Sequence, residues 1–269
     1  MSMREGVLPR AHSFCLYFLI AAPFLTRSPE ALAQTPPLGS SENSFYARRN
    51  TFGFFGAYSN DSSHILLGYA KQRKLLDIGV SYSRSLYLSH IVNWQYDGEL
   101  LPVALESDPM SHVVENFTTP APATYSYNSG PIVTCAPATT PITFIDPATG
   151  VSYSGTVTVS CYGRRWIDGE ALSPIGFRWN FLPARSLQPF ADGHGGYMYT
   201  TQAVPVDEAG SFNFTFDIGA GLEVYRTMAK SIRVEYRYHH ISNHGTATLN
   251  PGIDNGLFQV TYCFRLGHR

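Results

Sequence analysis

The chain has 269 residues and a formal net charge of -1; 44% of its residues are hydrophobic and 14% aromatic, but only 14% are charged. This balance excludes both the basic footprint of a nucleic-acid-binding domain and the composition of an acidic disordered chain. No Cys or His spacing matches a zinc site, so no metal and no cofactor is expected.

At the N-terminus, Arg4 and Arg10 precede an apolar run over 14–25, and Ala31-Leu32-Ala33 forms a small-residue cleavage site before Gln34. This is the pattern of a secretory signal peptide. The run is shorter than the ~20 residues of a spanning helix and contains Pro23, which argues against a retained anchor. Cys15 lies at the start of the run and not at a cleavage site, so a lipoprotein signal is not expected. The predicted organisation is a signal peptide over 1–33, a polar lead-in over 34–50 and an outer-membrane β-barrel over 51–269, with 106–168 as a long extracellular loop insertion.

Apolar residues beyond the signal are spread over segments that alternate with period two, the mark of strands with two different faces. The predicted strands are 51–59, 75–84, 88–105, 169–181, 187–201, 212–225, 231–242 and 254–266; 63–70 is read as an extension of the first strand or its loop. Phe212, Phe214, Phe216 and Ile218 alternating with Asn213, Thr215, Asp217 and Gly219 show the pattern most plainly. An exported, aromatic-rich chain with weak alternating hydrophobicity fits an eight-stranded antiparallel up-and-down transmembrane β-barrel. The lumen of such a barrel is filled by side chains. Asp217, Glu223, Arg233, Glu235 and Arg237 are accordingly expected to pair with one another inside it. His194 lies on a Gly-rich strand, where close packing is its expected role.

Connections 182–186 and 226–230 are short, whereas 106–168, 202–211 and 243–253 are long. With a periplasmic N-terminus, the long ones fall outside. Cys135 and Cys161 flank a Thr/Ser/Pro/Gly-rich stretch and are the expected disulfide in an oxidising compartment. Cys263 is expected to be a free packing residue.

The candidate site lies in the last hairpin. Along 231–242 the even positions Ile232, Val234, Tyr236, Tyr238, His240 and Ser242 share the apolar face, and Asp254 shares the apolar face of the following strand. There Ser242 can act as nucleophile, His240 as its general base and Asp254 as the acid that fixes the imidazole tautomer. Oxyanion donors are sought among the Asn243 side chain, the Gly245 backbone N–H and the Asn250 amide. Tyr236 and Tyr238 are candidate lipid contacts. His239 points to the opposite face from His240, so the two cannot chelate a metal together.

The spacing His240-Ile241-Ser242-Asn243 followed by Asn250-Pro251-Gly252-Ile253-Asp254 resembles the PagL-type lipid A 3-O-deacylases, the outer-membrane acyloxyacyl hydrolases. The resemblance runs from about Thr51 onward and is sharpest at the end. It implies an eight-stranded barrel with the catalytic Ser and His on its outer surface. The implied reaction is hydrolysis of an ester-linked 3-hydroxyacyl chain at the lipid A 3-position, with lipid A or lipopolysaccharide in the bacterial outer membrane as partner. The family acid is Glu, one methylene longer than Asp254, and the last residues 264–269 lack the terminal aromatic usual in outer-membrane barrels. A noncatalytic structural or adhesive barrel displaying the disulfide-closed loop is the other reading; it predicts a dispensable Ser242. Whether the protein forms a homodimer stays open at this point.

Overall fold

The computed structural model describes residues 45–265; the signal peptide, most of the lead-in and 266–269 lie outside the described residues. The strands are β1 (Asn50–Ser59), β2 (Lys74–Leu88), β3 (Val92–Thr119), β4 (Ala123–Pro131), β5 (Ala138–Ile145), β6 (Ser152–Phe181), β7 (Leu187–Thr200), β8 (Phe212–Thr227), β9 (Lys230–Ser242) and β10 (Ile253–Phe264). Eight of them close an antiparallel ring in the order β1-β2-β3-β6-β7-β8-β9-β10, with β10 back on β1. Connections 89–91, 182–186 and 228–229 are short; those at the other end, including 60–73, 201–211 and 243–252, are long. The segment 63–70 belongs to the β1–β2 connection.

Alternation explains the ring. Phe54, Ile78, Phe216, Ile218, Tyr236 and Phe258 face outward and are exposed, while Asp77, Asp97, Asp192, Asp217, Arg237 and Gln259 face inward and are buried. An apolar outer belt around a polar interior is stable only where the surroundings are lipid.

β3 and β6 run on beyond the ring. There β4 adds to β3 and β5 to β6, making a four-stranded sheet in the order β4-β3-β6-β5. The 106–168 insertion is therefore mostly strand where a loop was expected. Its alternation sets Val113, Phe117, Ile142, Val157 and Val159 on one face against Thr139, His112, Asn116, Thr156 and Thr158 on the other. So many Ser and Thr residues mute the hydrophobic contrast that marks the ring strands. Cys135 and Cys161 form a disulfide that ties the β4–β5 connection to β6, and Cys263 is free and buried.

The interior charges pair differently from the expectation. Glu235 and Arg237 do meet, but Arg237 also donates to both carboxylate oxygens of Glu99, at 2.8 and 3.0 Å. Asp217 pairs with His239, Glu223 with Arg48 at 2.7 Å, and Arg233 approaches Asp97 at 3.6 Å. His239 is the direct neighbour of Asp217 in the β8–β9 ladder, whereas ring closure supplies Glu99, Arg48 and Asp97 by bringing β3 and the segment before β1 opposite β8 and β9. His194 is more than a packing residue, since its Nε2 lies 3.4 Å from Asp97. Towards the end with the long connections the interior turns apolar, with Ala57, Leu75, Ala104, Ile241, Ile253 and Leu257 packed together.

Candidate active site

β9 and β10 pair antiparallel with Asp254 directly opposite His240. His240 and Ser242 are half-buried on the outward face, where their parity puts them. Asp254 also has outward parity but is completely buried, because the 62–70 loop folds over it.

One carboxylate oxygen of Asp254 serves the strands and the other serves the loop. Its Oδ1 lies 2.7 Å from His240 Nδ1 and accepts a hydrogen bond from the Tyr238 hydroxyl at 2.8 Å. Its Oδ2 accepts from the backbone N–H groups of Leu66 at 2.7 Å, Leu67 at 2.9 Å and Ile65 at 3.2 Å. A carboxylate acceptor fixes the proton on Nδ1, which leaves Nε2 as the basic nitrogen. The Tyr238 ring stacks on the imidazole, with centroids 6.5 Å apart and planes inclined by 11°. Tyr238 thus does more than contact lipid: it helps to orient the acid. Tyr236 remains exposed on the apolar belt.

The loop is well seated. Ser63 N donates to Asp254 O at 3.1 Å, Tyr69 N to Pro251 O at 3.0 Å and Ala70 N to Gly252 O at 3.0 Å. His64 Nδ1 closes the turn on Gly68 O at 2.7 Å. Gly68 is required by close approach, since a Cβ there would lie 2.7 Å from Asp254 N and Ile253 C. Gly68→Ala should therefore lift the donors off Asp254 and lower the lipid A hydrolysis expected from the sequence by about 10²-fold, the scale of a 1 Å misplacement. Initial rates on lipid A with a heat-modifiable, folded variant check this; full activity would show that the loop does not set the acid.

Ser242 follows His240 by two residues on the same face, where the hydroxyl and imidazole can approach. Among the described residues no hydrogen bond joins them, and such contacts often tighten only with substrate bound. Two of the three expected oxyanion donors are committed elsewhere. Asn243 is buried, and its side-chain amide donates to Leu249 O at 2.7 Å and to Ala209 O, while its Oδ1 accepts from Gly245 N at 2.9 Å. The inward parity of Asn243 turns its side chain away from the site, and it uses that side chain to build the 243–252 turn. Asn250 accepts from Asn243 N through Oδ1 at 3.1 Å, and among the described residues its amide NH2 group has no hydrogen-bond acceptor.

His239 points into the interior towards Asp217, opposite in direction to His240. Asp97, Glu99 and His194 come close enough together to suggest a cation site, but Arg178 and Arg237 already neutralise their carboxylates.

A sequence model of the family described as Lipid A 3-O-deacylase (PagL) matches residues 141–262. A search of curated proteins finds no match. Among solved structures, the outer membrane enzyme PagL aligns with 16% identity over 80% of this chain and 99% of its own, at a TM-score of 0.41. Neisserial surface protein A aligns at 11% identity over 80% of this chain and 97% of its own, with a TM-score of 0.39. OprG from Pseudomonas aeruginosa aligns at 11% identity over 83% of this chain and 100% of its own, also with a TM-score of 0.39. The chain is an outer-membrane β-barrel, and over the stretch that holds His240, Ser242 and Asp254 it is similar in sequence to the PagL lipid A 3-O-deacylase family.

Proposed function

We propose that this protein is a lipid A deacylase that removes an ester-linked 3-hydroxyacyl chain, at the 3-position, from lipid A in the outer leaflet. The observation that carries the reading is the His240–Asp254 pair, held from both sides on the lipid-facing surface two residues from Ser242. The match of residues 141–262 to the PagL family supports the substrate class.

In this mechanism His240 Nε2 takes the proton of Ser242 as Oγ attacks the ester carbonyl. The tetrahedral oxyanion is met by the Asn250 amide. Its collapse breaks the bond to the sugar oxygen, which leaves with the proton from His240, and an acyl group remains on Ser242. A water molecule deprotonated by His240 then attacks the acyl carbon, releasing the fatty acid and restoring the serine. Asp254 stays ionised throughout and stabilises the imidazolium. None of these steps calls for a cofactor.

Mass spectrometry of lipid A incubated with the refolded protein tests the reading. Wild type is expected to remove one hydroxyacyl mass, and Ser242→Ala to leave lipid A intact. The second reading, an adhesive barrel, draws on the disulfide-tied sheet on β3 and β6, across the ring from β9 and β10. Unchanged lipid A with both proteins would favour it.

A further inference from the structure

The loop that clamps Asp254 with its backbone turns large apolar side chains the other way. Ile65, Leu66, Leu67 and Tyr69 are 45%, 65%, 63% and 52% exposed. Three of these residues donate the N–H groups that hold Asp254 Oδ2, so their side chains stand within one residue's length of the His240–Asp254 pair. Contiguous exposed aliphatic side chains beside a reactive site mark a surface meant for an apolar ligand.

We propose that Ile65, Leu66, Leu67 and Tyr69 form the seat of the acyl chain carried by the ester, so that one loop fixes the acid with its backbone and the substrate tail with its side chains. This deepens the deacylase reading and rests on it. Three features select an acyl chain as occupant. The seat joins the outward apolar surface of β9 and β10, where Tyr236 pairs with Phe258 in register and both are exposed. No residue from Ile65 to Ala70 carries a charge, so nothing there recognises a headgroup. The bonds to Pro251, Gly252 and Asp254 hold the loop in place before any ligand arrives, which spares the ordering cost of binding a flexible tail.

The test uses the full barrel in bilayers, with Ser242→Ala to stop turnover. One probe is lipid A with a diazirine in the scissile chain; the other is phosphatidylethanolamine with the same group in a fatty acyl chain. The lipid A probe is expected to label residues 65–69 severalfold more than the phospholipid, and less so in Leu66→Ser/Leu67→Ser. Equal labelling by both probes, or labelling spread evenly over the apolar belt, would overturn the proposal by reducing the loop to ordinary lipid contact. In active protein the same double variant should lower the kcat/KM ratio of tetradecanoyl over butanoyl ester by about tenfold, the scale of lost apolar substrate contacts. An equal loss on both esters would mark the side chains as merely structural and also overturn it. Labelling does not require turnover, so a wild type that cuts neither ester would defeat the deacylase reading and leave the labelling result to decide the seat.

Discussion

Asp254→Asn is expected to slow the proposed deacylation by about 10³- to 10⁴-fold while leaving the barrel folded, because it inverts the tautomer of His240. The loop N–H groups of Ile65, Leu66 and Leu67 would keep the amide oxygen on their side, turning its NH2 group towards His240 Nδ1 and the Tyr238 hydroxyl. Donor would then face donor, and the imidazole would relieve this by moving its proton to Nε2, the nitrogen that accepts from Ser242 in the proposed mechanism. Rates on lipid A, with heat-modifiable migration as the control for folding, check the outcome; a loss under about tenfold would mean that the carboxylate does not set the tautomer. Asp254→Glu carries the companion expectation. Although Glu is the acid of the PagL-type pattern, here the extra methylene would drive the carboxylate into the loop that already touches Oδ2. The variant should therefore be slower than wild type, and activity at or above the wild-type rate would show that the clamp is not fitted to aspartate.

Arg178→Met should have the largest effect on stability, at about 3–5 kcal/mol, the usual consequence of removing one partner from a buried ionic cluster. The Arg178 guanidinium is buried between Asp97 and Asp192, donates to Asp192 Oδ2 at 3.0 and 3.2 Å, and lies 4.9 Å from the Phe190 ring centroid. Without it Asp192 would lose its ion-pair partner and Asp97 would keep only Arg233 at 3.6 Å and His194 at 3.4 Å. The urea midpoint of the folded, heat-modifiable form measures the change. Adding Asp97→Asn and Asp192→Asn should restore much of it, since the variant's weakness lies in orphaned charge more than in lost packing.

The eight ring strands and the outward placement of His240 and Ser242 were legible in the sequence because both follow from period-two alternation, whereas the Ser- and Thr-rich strands of 106–168 were not. Asp254 was placed near His240 by the apolar face of its strand and by the family spacing, whereas the register that sets the two directly opposite each other comes from the structure. What escaped was the work of the backbone. Nothing in the letters of Ile65, Leu66 and Leu67 announces that their N–H groups converge on a carboxylate almost two hundred positions later, and the segment reads only as apolar. The Asn243 amide and the Gly245 N–H looked like free donors for the same reason in reverse, because the turn that consumes them is a three-dimensional fact. Partners such as Glu99 for Arg237 lie across the ring, where neither spacing nor periodicity reaches.

The clamp also orders events in time. Its donors lie just after the first strand and its acceptor at the head of the last, and only the β1–β10 ladder brings these two ends together. A chain with β7 to β10 already paired, still open on its way to the membrane, would hold His240 opposite Asp254 yet leave Oδ2 without its three loop donors. Closing the ring and completing the clamp on Asp254 are therefore one step of folding.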